Sequence, residues 1–254
     1  MVVEFEAREH VAVITLNRPE ARNAVNGDVA EGIEAAIDRY EADDALWVAI
    51  LRANGPVFCA GADLKAVAAG DARRLMTERG GFGGLVKRER RKPLIAAVHG
   101  AAVAGGCELL LACDMAIAAE GATFGLPEVK RSLVAGAGGL FRLPRAVGQS
   151  MAMEMILTGD PIDAERACQL GLINRVVPTD SLMDEALALA GRITVNAPLA
   201  VQASRAVARR ALTEDDETLW QASSEAMKAI YQTEDFKEGP RAFVEKRAPV
   251  WKAR

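Results

Sequence analysis

The 254-residue sequence is poor in the side chains that bind transition metals or build disulfide frameworks. It has only two histidines, His10 and His99, and its four cysteines show no CxxC pairing. Structural zinc sites and dithiol motifs need closely spaced Cys and His, so the pattern excludes both. We therefore expect no metal, reduced thiols at positions 59, 107, 113 and 168, and a cytoplasmic protein.

A surplus of one charge and long apolar runs are also missing. The 31 Lys and Arg are interspersed among 35 Asp and Glu, which predicts no nucleic-acid and no membrane partner. The start, MVVEFEAREH, has acids where a secretory signal needs basic residues before an apolar stretch. In the most apolar region, 94–119, His99, Glu108 and Asp114 interrupt any membrane span.

What is present suits one large globular domain with an appendage, because half of the residues are hydrophobic. Apolar runs at 2–6 and 10–16 predict an opening hairpin, and Asp28 is expected to cap the next helix. Further patterns predict strands at 46–53, 94–100, 114–119 and 172–177, with helices near 71–91 and at 106–112. Strands without polar alternation, separated by helices, indicate an α/β fold with a parallel sheet covered on both faces.

Beyond about residue 180 the strand pattern disappears. Helices are predicted at 181–194, 198–211 and about 214–232. In the last of these, Trp220, Met227 and Tyr231 share one face. Two partners for that apolar face are open here, a neighbouring subunit or the chain's own core.

Motifs for nucleophilic catalysis and phosphate binding are absent. A Ser or Cys triad needs a histidine base, and His99, before a glycine at a strand end, is more typical of a core or hydrogen-bonded residue. No GxGxxG or Walker motif opens a βα unit. The Gly-rich stretches at 78–84 and 135–139 are interpreted as loops.

Three segments are more informative. FCAGADL (58–64) follows an apolar strand, and its small residues let backbone N–H groups approach a ligand. Glu108 lies among apolar residues in VAGGCELLLACD (103–114), where a carboxylate is costly unless it is paired or used. A surface-facing or hydrogen-bonded glutamate is the plainer interpretation. Glu128 follows Pro127 in FGLPEVK, and taken alone it is a helix-start acid.

The order and spacing of these segments resemble the crotonase (enoyl-CoA hydratase/isomerase) superfamily over nearly the whole chain. The matching segments are ITLNRPEARNAVN (14–26), FCAGADL (58–64), HGAAVAGGCELLLACD (99–114), FGLPE (124–128), GAGG (136–139), the stretch 145–177 and FVEKRAP (243–249). The resemblance implies a spiral of ββα units, which we expect over 1–195, followed by a helical trimerisation region over 196–254. It also implies a homotrimer or homohexamer.

The resemblance further implies the site. An oxyanion hole of two backbone N–H groups falls on Ala60 and Gly105, where it would hold the enolate-like charge of a thioester. The backbone of Ala60, Gly61, Ala62, Asp63 and Leu64 matches the segment that grips coenzyme A. Arg22, with Phe243 and Lys246 of the tail, matches positions near its phosphates or ribose.

Glu108 and Glu128 match the two glutamates of the true hydratases, so the resemblance implies an enoyl-CoA hydratase that adds water syn across the 2,3 double bond. We assign the water to Glu108 and the proton to Glu128, with no cofactor besides the coenzyme A of the acyl-CoA thioester substrate. Two alternatives are another crotonase enzyme, such as an isomerase or a specialised side-chain hydratase/lyase, and a non-catalytic acyl-CoA-binding or RNA-binding relative.

This chain departs from the family pattern at several positions around the acyl pocket. The departures are Ala104 for a glycine, Leu126 for a glutamine, Ser132 and Ala135 for a glycine and a proline, and His99 for an asparagine. They leave the two carboxylates in place, so they concern the acyl chain of the substrate more than the class of reaction.

Overall fold

The computed structural model describes all residues from Met1 to Arg254. Its eleven strands are β1 (Val3–Arg8), β2 (Val11–Leu16), β3 (Val48–Ala53), β4 (Met76–Thr77), β5 (Gly81–Phe82), β6 (Leu94–Val98), β7 (Ala101–Val103), β8 (Met115–Ala119), β9 (Thr123–Gly125), β10 (Ile162–Asp163) and β11 (Arg175–Val177). Its ten α-helices are α1 (Gly27–Ala42), α2 (Leu64–Ala68), α3 (Gly105–Ala112), α4 (Gly139–Val147), α5 (Gln149–Thr158), α6 (Ala164–Leu170), α7 (Leu182–Thr194), α8 (Pro198–Ala208), α9 (Asp216–Tyr231) and α10 (Glu234–Glu245).

The main sheet has the order β1-β2-β3-β6-β8-β11. The hairpin β1–β2 is antiparallel, with Val3 opposite Leu16, and every other pair is parallel, which confirms both predictions from the sequence. A second sheet has the order β10-β9-β7. Its strand β7 directly follows β6 of the main sheet, and its strand β9 directly follows β8. The chain thus steps from one sheet to the other and into a helix, and repeats the step, which is the predicted ββα progression.

Both faces of the main sheet are covered, as expected for parallel strands with uninterrupted apolar sequences. Ile14 and Leu51 point to the larger core with helices α1 and α3. Ile50 and Ile117 point the other way, against Ala186 of α7. This double cover makes the sheet a rigid support for whatever the loops at its edges carry.

Two local predictions are wrong. The helix expected near 71–91 is replaced by a 3-10 turn at Ala72–Leu75 and the hairpin β4–β5. Glycines prevent a helix there, because Gly81, Gly83 and Gly84 adopt positive φ, and a Cβ on Gly84 would lie 2.2 Å from the Ala30 carbonyl oxygen.

The cap of α1 also differs from the expectation. Asn26, not Asp28, is the N-cap, since its Oδ1 accepts a hydrogen bond from the Val29 N–H at 3.0 Å. Asp28 lies in the first turn, where its charge still suits the helix N-terminus. The helix itself is present as predicted, and its buried residues include Val29, Ile33, Ile37 and Tyr40.

The C-terminal helices α8, α9 and α10 confirm the predicted helical tail. Helix α9 has no buried residue, and its predicted apolar face is open, with Trp220 74% exposed. The last residues fold back on α10, where Asp235 accepts hydrogen bonds from the Lys252 and Ala253 N–H groups. Packing on the chain's own core therefore does not cover the apolar face of α9.

None of the helices combines the length and the apolar character that a membrane span would require. All four cysteines are free thiols, two of them fully buried.

Candidate active site

The first candidate carboxylate belongs to the opening turn of α3. Ala104 precedes this helix with φ 52° and ψ −130°, and its N–H donates to the Gly125 carbonyl of β9. This sharp turn sends Glu108 inward, where the residue is only 3% exposed. Its Oε1 accepts a hydrogen bond from the Gly139 N–H at 2.9 Å. The surface-facing interpretation of Glu108 is therefore wrong, and the hydrogen-bonded one is correct.

The second carboxylate belongs to the 3-10 turn Pro127–Arg131. Glu128 is the second residue of this turn, as the helix-start interpretation expected, but it is buried at 9% exposure. Its Oε2 is buried and has no hydrogen-bond partner. An unpartnered buried carboxylate costs free energy of folding, which is typical of a group kept for chemistry.

The structure brings the two glutamates into one site. Gly139 links them, since a Cβ there would lie 3.1 Å from Glu108 Oε1 and 2.8 Å from Leu126 Cδ1 in the segment that leads to Glu128. The Glu108 charge also acts on Glu128. Glycine at 139 therefore lets the backbone approach the carboxylate closely enough to donate its N–H.

The two carboxyl groups have different electrostatic environments, which shift their pKa values by different amounts. Burial raises the pKa of Glu128 to about 7, and the neighbouring Glu108 charge adds to that rise. Burial also raises the pKa of Glu108, but the amides of Gly139 and Ala137 and the charge of Arg142 oppose the rise. Of the two carboxyl groups, Glu128 is therefore the one that keeps a proton more readily as the pH approaches 7.

One of the two proposed oxyanion donors must be corrected. The Ala60 N–H donates to the Arg22 carbonyl oxygen at 3.1 Å, so it is already occupied. Two residues later, the Ala62 N–H donates to no group of the chain. Sequence matching alone misplaced the donor by two residues, because whether an amide is free depends on a carbonyl from another segment, here that of Arg22.

The free Ala62 amide lies next to the second expected donor. Gly61 packs so closely on α3 that a Cβ there would lie 2.9 Å from the Gly105 backbone nitrogen. Gly105 begins α3, so its N–H has no acceptor within that helix. A Cβ on residue 105 would lie 2.4 Å from Phe82 Cζ, so the ring fills the space beside this amide and only glycine fits.

The remaining residues of the predicted coenzyme A segment surround this turn. The Asp63 carboxylate caps α2 and pairs with Arg18 Nη1 at 2.7 Å. Burial alone would raise the Asp63 pKa, but the hydrogen bonds from Arg18 and from the α2 amides leave it lowered. The Asp63 side chain is thus committed to local structure, while Leu64 and Arg22 are exposed beside it.

The two tail residues expected near coenzyme A lie elsewhere in a single chain. Phe243 is 85% exposed in α10, and Lys246 is the C-cap of that helix with φ 53°. Helix α10 packs against α9. The structure therefore does not bring Phe243 and Lys246 to the glutamates of their own chain.

The departures from the family pattern occupy defined places. Ala104 and Ser132 both have positive φ, a conformation in which glycine would be less strained. Leu126 and Ala135 are buried against Gly139. His99 Nε2 lies 2.6 Å from the Gly55 carbonyl oxygen, which confirms a hydrogen-bonded role for this histidine.

Sequence reasoning missed two residues of the site, Phe82 and Arg142. Phe82 stands in a Gly-rich loop that was interpreted as flexible, and its ring contacts Gly105. Arg142 stands in the stretch after GAGG, and nothing local marks it as different from its neighbour Arg145. Only long-range contacts distinguish them.

Comparison with known proteins agrees with this geometry. Residues 6–254 match the family model described as enoyl-CoA hydratase/isomerase. The chain is 40% identical to a crotonyl-CoA hydratase of Syntrophomonas wolfei, over 96% of this chain and 95% of that protein. It is 43% identical to a mevalonyl-coenzyme A hydratase of Beauveria bassiana, over 96% and 91%.

A solved structure of an enoyl-CoA hydratase from Mycobacterium tuberculosis superimposes with a TM-score of 0.95 at 45% identity. The alignment covers 100% of this chain and 99% of that one. With a full-length family match and this structural agreement, the chain belongs to the enoyl-CoA hydratase/isomerase family and has the crotonase fold.

Proposed function

We propose that the protein is an enoyl-CoA hydratase, a hydro-lyase that adds water syn across the 2,3 double bond of a 2-enoyl-CoA thioester. The observation that carries this proposal is the pair of buried glutamates, Glu108 and Glu128, held in one site in unequal surroundings: Glu108 accepts the Gly139 N–H, and Glu128 Oε2 has no partner. Hydration needs one base and one acid at the same time, and a pair of carboxyl groups with separated pKa values supplies both.

In the proposed reaction, ionised Glu108 accepts a proton from a water molecule as the water oxygen bonds to C3. The electrons of the double bond move toward the thioester oxygen and form an enolate. Protonated Glu128 then donates its proton to C2, and the thioester carbonyl is restored. The Gly139 N–H keeps Glu108 oriented, while the unpartnered Glu128 Oε2 is free to turn toward the substrate.

The developing negative charge on the thioester oxygen would be held by the N–H groups of Ala62 and Gly105. Fixed backbone donors stabilise such a charge in the transition state by about 3–4 kcal/mol each. The glycines at 61 and 105 support this role, because side chains there would separate the two amides. Since two carboxyl groups and two amides suffice, the reaction needs no metal and no cofactor beyond the coenzyme A carried by the substrate.

The coenzyme A part of the acyl-CoA would lie along Ala60, Gly61, Ala62, Asp63 and Leu64, with the exposed Arg22 near a phosphate. Phe243 and Lys246 would approach the same coenzyme A from a neighbouring subunit, because their own chain leaves them exposed and away from the loop.

The quaternary part of the proposal is a homotrimer or homohexamer. Residues 1–195 form the spiral core with the active site, and residues 196–254 form the oligomerisation region. The open apolar face of α9 supports this division, since Trp220, Met227 and Tyr231 are each more than half exposed in one chain.

The test is incubation of the purified protein with crotonyl-CoA while the absorbance of the conjugated thioester is followed. Hydration removes the conjugation, so we expect a loss of absorbance that Glu108→Gln largely abolishes. A panel of longer, branched and carboxylated enoyl-CoA substrates would then define the acyl chain. A wild-type protein that binds these thioesters but hydrates none of them would refute the proposal.

A further inference from the structure

Arg142 of α4 is a partly buried cation to which the proposed reaction assigns no role. Its guanidinium Nη2 donates to the Val86 carbonyl oxygen at 2.6 Å, and Nη1 donates to the Ala137 carbonyl oxygen at 3.4 Å. It makes no salt bridge within 4 Å. Burying a full charge without a paired acid is costly, so the position calls for an explanation.

The contacts of Arg142 lead directly to the first catalytic carboxylate. One of them holds Ala137, and the amides of Ala137 and Gly139 are the groups that stabilise the ionised Glu108. The guanidinium also packs on Gly138, where a Cβ would lie 2.5 Å from Arg142 Nη1. The Arg142 side chain therefore contacts Ala137 and Gly138, the two residues that precede Gly139 in the segment that binds Glu108.

The other contact reaches the loop beside the oxyanion turn. Val86 follows the hairpin β4–β5, whose Phe82 ring packs against Gly105. The planar guanidinium presents its donors in a rigid fork, so it holds the two carbonyls in a fixed orientation. An ammonium is a compact charge with rotatable donors and does not fix that orientation. Arg142 thus joins the loop behind Glu108 to the loop behind one proposed oxyanion donor.

Most of the charged groups around the Arg142 guanidinium are positive. Asp114 is shared by Arg90, Arg205 and Arg209. Of the charged groups that act on Arg142, three are cations, namely Arg209, Arg145 and Arg90, and the acid is Glu108. The cation whose charge lowers the pKa of Glu108 is Arg142, and the acid that interacts with Glu108 is Glu128.

We propose that Arg142 is a positioning residue for Glu108: it fixes the 137–139 segment that binds the carboxylate and places a positive charge behind that segment. The inference rests on the proposed hydratase function. It adds a residue outside substrate contact that sets which of the two glutamates serves as base.

The test uses three variants in the crotonyl-CoA assay, with kcat and kcat/KM measured across pH. Arg142→Met removes the fork and the charge. Arg142→Lys keeps the charge without the fork. Arg145→Met is the matched control, because Arg145 is an exposed neighbour on the same helix that also lies 5.4 Å from the Phe141 ring but does not act on Glu108.

We expect Arg142→Met to lower kcat by about 10-fold or more, with KM changed by less than about 3-fold, because the residue orients a catalytic group and does not touch substrate. Its acid limb in kcat/KM should move to higher pH, since Glu108 is then harder to ionise. Arg142→Lys should lose turnover but keep the wild-type acid limb, and Arg145→Met should change neither.

The outcomes separate the possibilities. An Arg142→Met variant with reduced turnover but an unmoved acid limb would show a merely structural tie and overturn the inference. If that variant does not fold, an Arg142→Lys variant with full wild-type turnover would overturn it as well. A wild-type protein that hydrates no enoyl-CoA refutes the proposed function itself, which the wild-type profile reveals before any variant is compared.

Discussion

The helix that carries Glu108 and the longest helix of the tail are opposites in burial. Helix α3 buries seven of its eight residues, a carboxylate among them, whereas the 16-residue α9 buries none and exposes its apolar face. The core thus hides a charge that water would stabilise, and the tail shows apolar side chains that water disfavours.

Each of these two features supports one part of the proposed function. In the core, the cost of burying Glu108 and Glu128 is accepted because a dry pocket strengthens their action on a substrate. In the tail, the proposed oligomer would cover Trp220 with a second copy and so remove the cost of exposing it. Changes in the core should therefore act on chemistry, and changes in the tail on assembly and binding.

The largest effect on turnover is expected when either glutamate is neutralised. We expect Glu108→Gln and Glu128→Gln each to lower kcat by at least ~10²-fold with acyl-CoA binding largely intact, because a positioned acid or base is lost while the pocket keeps its shape. Crotonyl-CoA hydration kinetics measure this. The exposed Glu120→Gln serves as control, and near wild-type turnover of either site variant would remove that residue from the mechanism.

The pH dependence sharpens the difference between the two carboxyl groups. With burial raising the pKa of Glu128 to about 7, the acid form is lost above that pH. We expect kcat/KM to fall on the alkaline side by about tenfold per pH unit, since an ionised Glu128 has no proton to donate. A profile that stays flat from pH 7 to 10 in a chemistry-limited reaction would contradict the role of Glu128.

On the side of the tail, the expected effect is on assembly. Trp220→Asp places a charge in the centre of the open face of α9, and we expect sedimentation velocity to show a loss of trimers or hexamers in favour of monomers. Glu225→Gln is the control, because residue 225 lies roughly 140° around the helix from Trp220. A wild-type protein that is already monomeric and fully active would contradict the proposed trimer or hexamer.

Glu128 also makes a prediction about stability. Its folded pKa of about 7 lies above the ordinary value of 4.5, so its contribution is favourable below pH 4.5 and is lost as the pH rises through 7. We expect Glu128→Gln to unfold with a free energy about 2–3 kcal/mol higher than wild type at pH 8, with little difference at pH 4.5. Urea unfolding at both pH values tests this, and equal stability at pH 8 would contradict the buried, unpartnered state.

The smallest expected effect is at the end of the tail. Lys246→Ala removes an exposed charge near a coenzyme A phosphate of a neighbouring subunit, so KM should rise modestly and more at low salt, with kcat nearly unchanged. Steady-state kinetics at two ionic strengths measure this. A variant that loses turnover without any rise in KM would place Lys246 in another role.

Much of this could be predicted from the sequence, because it depends on local order. The parallel sheet followed from apolar runs separated by helices, and the two glutamates from their place in motifs whose spacing is kept. The helix expected near 71–91 failed because a glycine's φ depends on what it packs against, here α1. Asp28 failed as a cap because a shift of two residues is invisible to a helical pattern.

The motif at 58–64 shows where local information ends. Its sequence predicts a ligand-binding turn, yet it does not show which backbone N–H is free. An N–H is free only if no carbonyl from a distant segment accepts its hydrogen bond. The Arg22 oxygen takes the Ala60 N–H and leaves that of Ala62 open. The same holds for Arg142 and Arg145, two identical side chains three residues apart, of which one reaches the Glu108 loop.

Composition and motif order thus determined the class of fold, the family and the identity of the two carboxylates, since these follow from short-range chemistry along the chain. Tertiary structure alone decided which amide is free, which glutamate has the pKa raised to about 7 and which arginine acts on the other glutamate. These properties arise from burial and from contacts between segments far apart in sequence, where a hydrogen bond or a change in hydration shifts a charge equilibrium that no single segment controls.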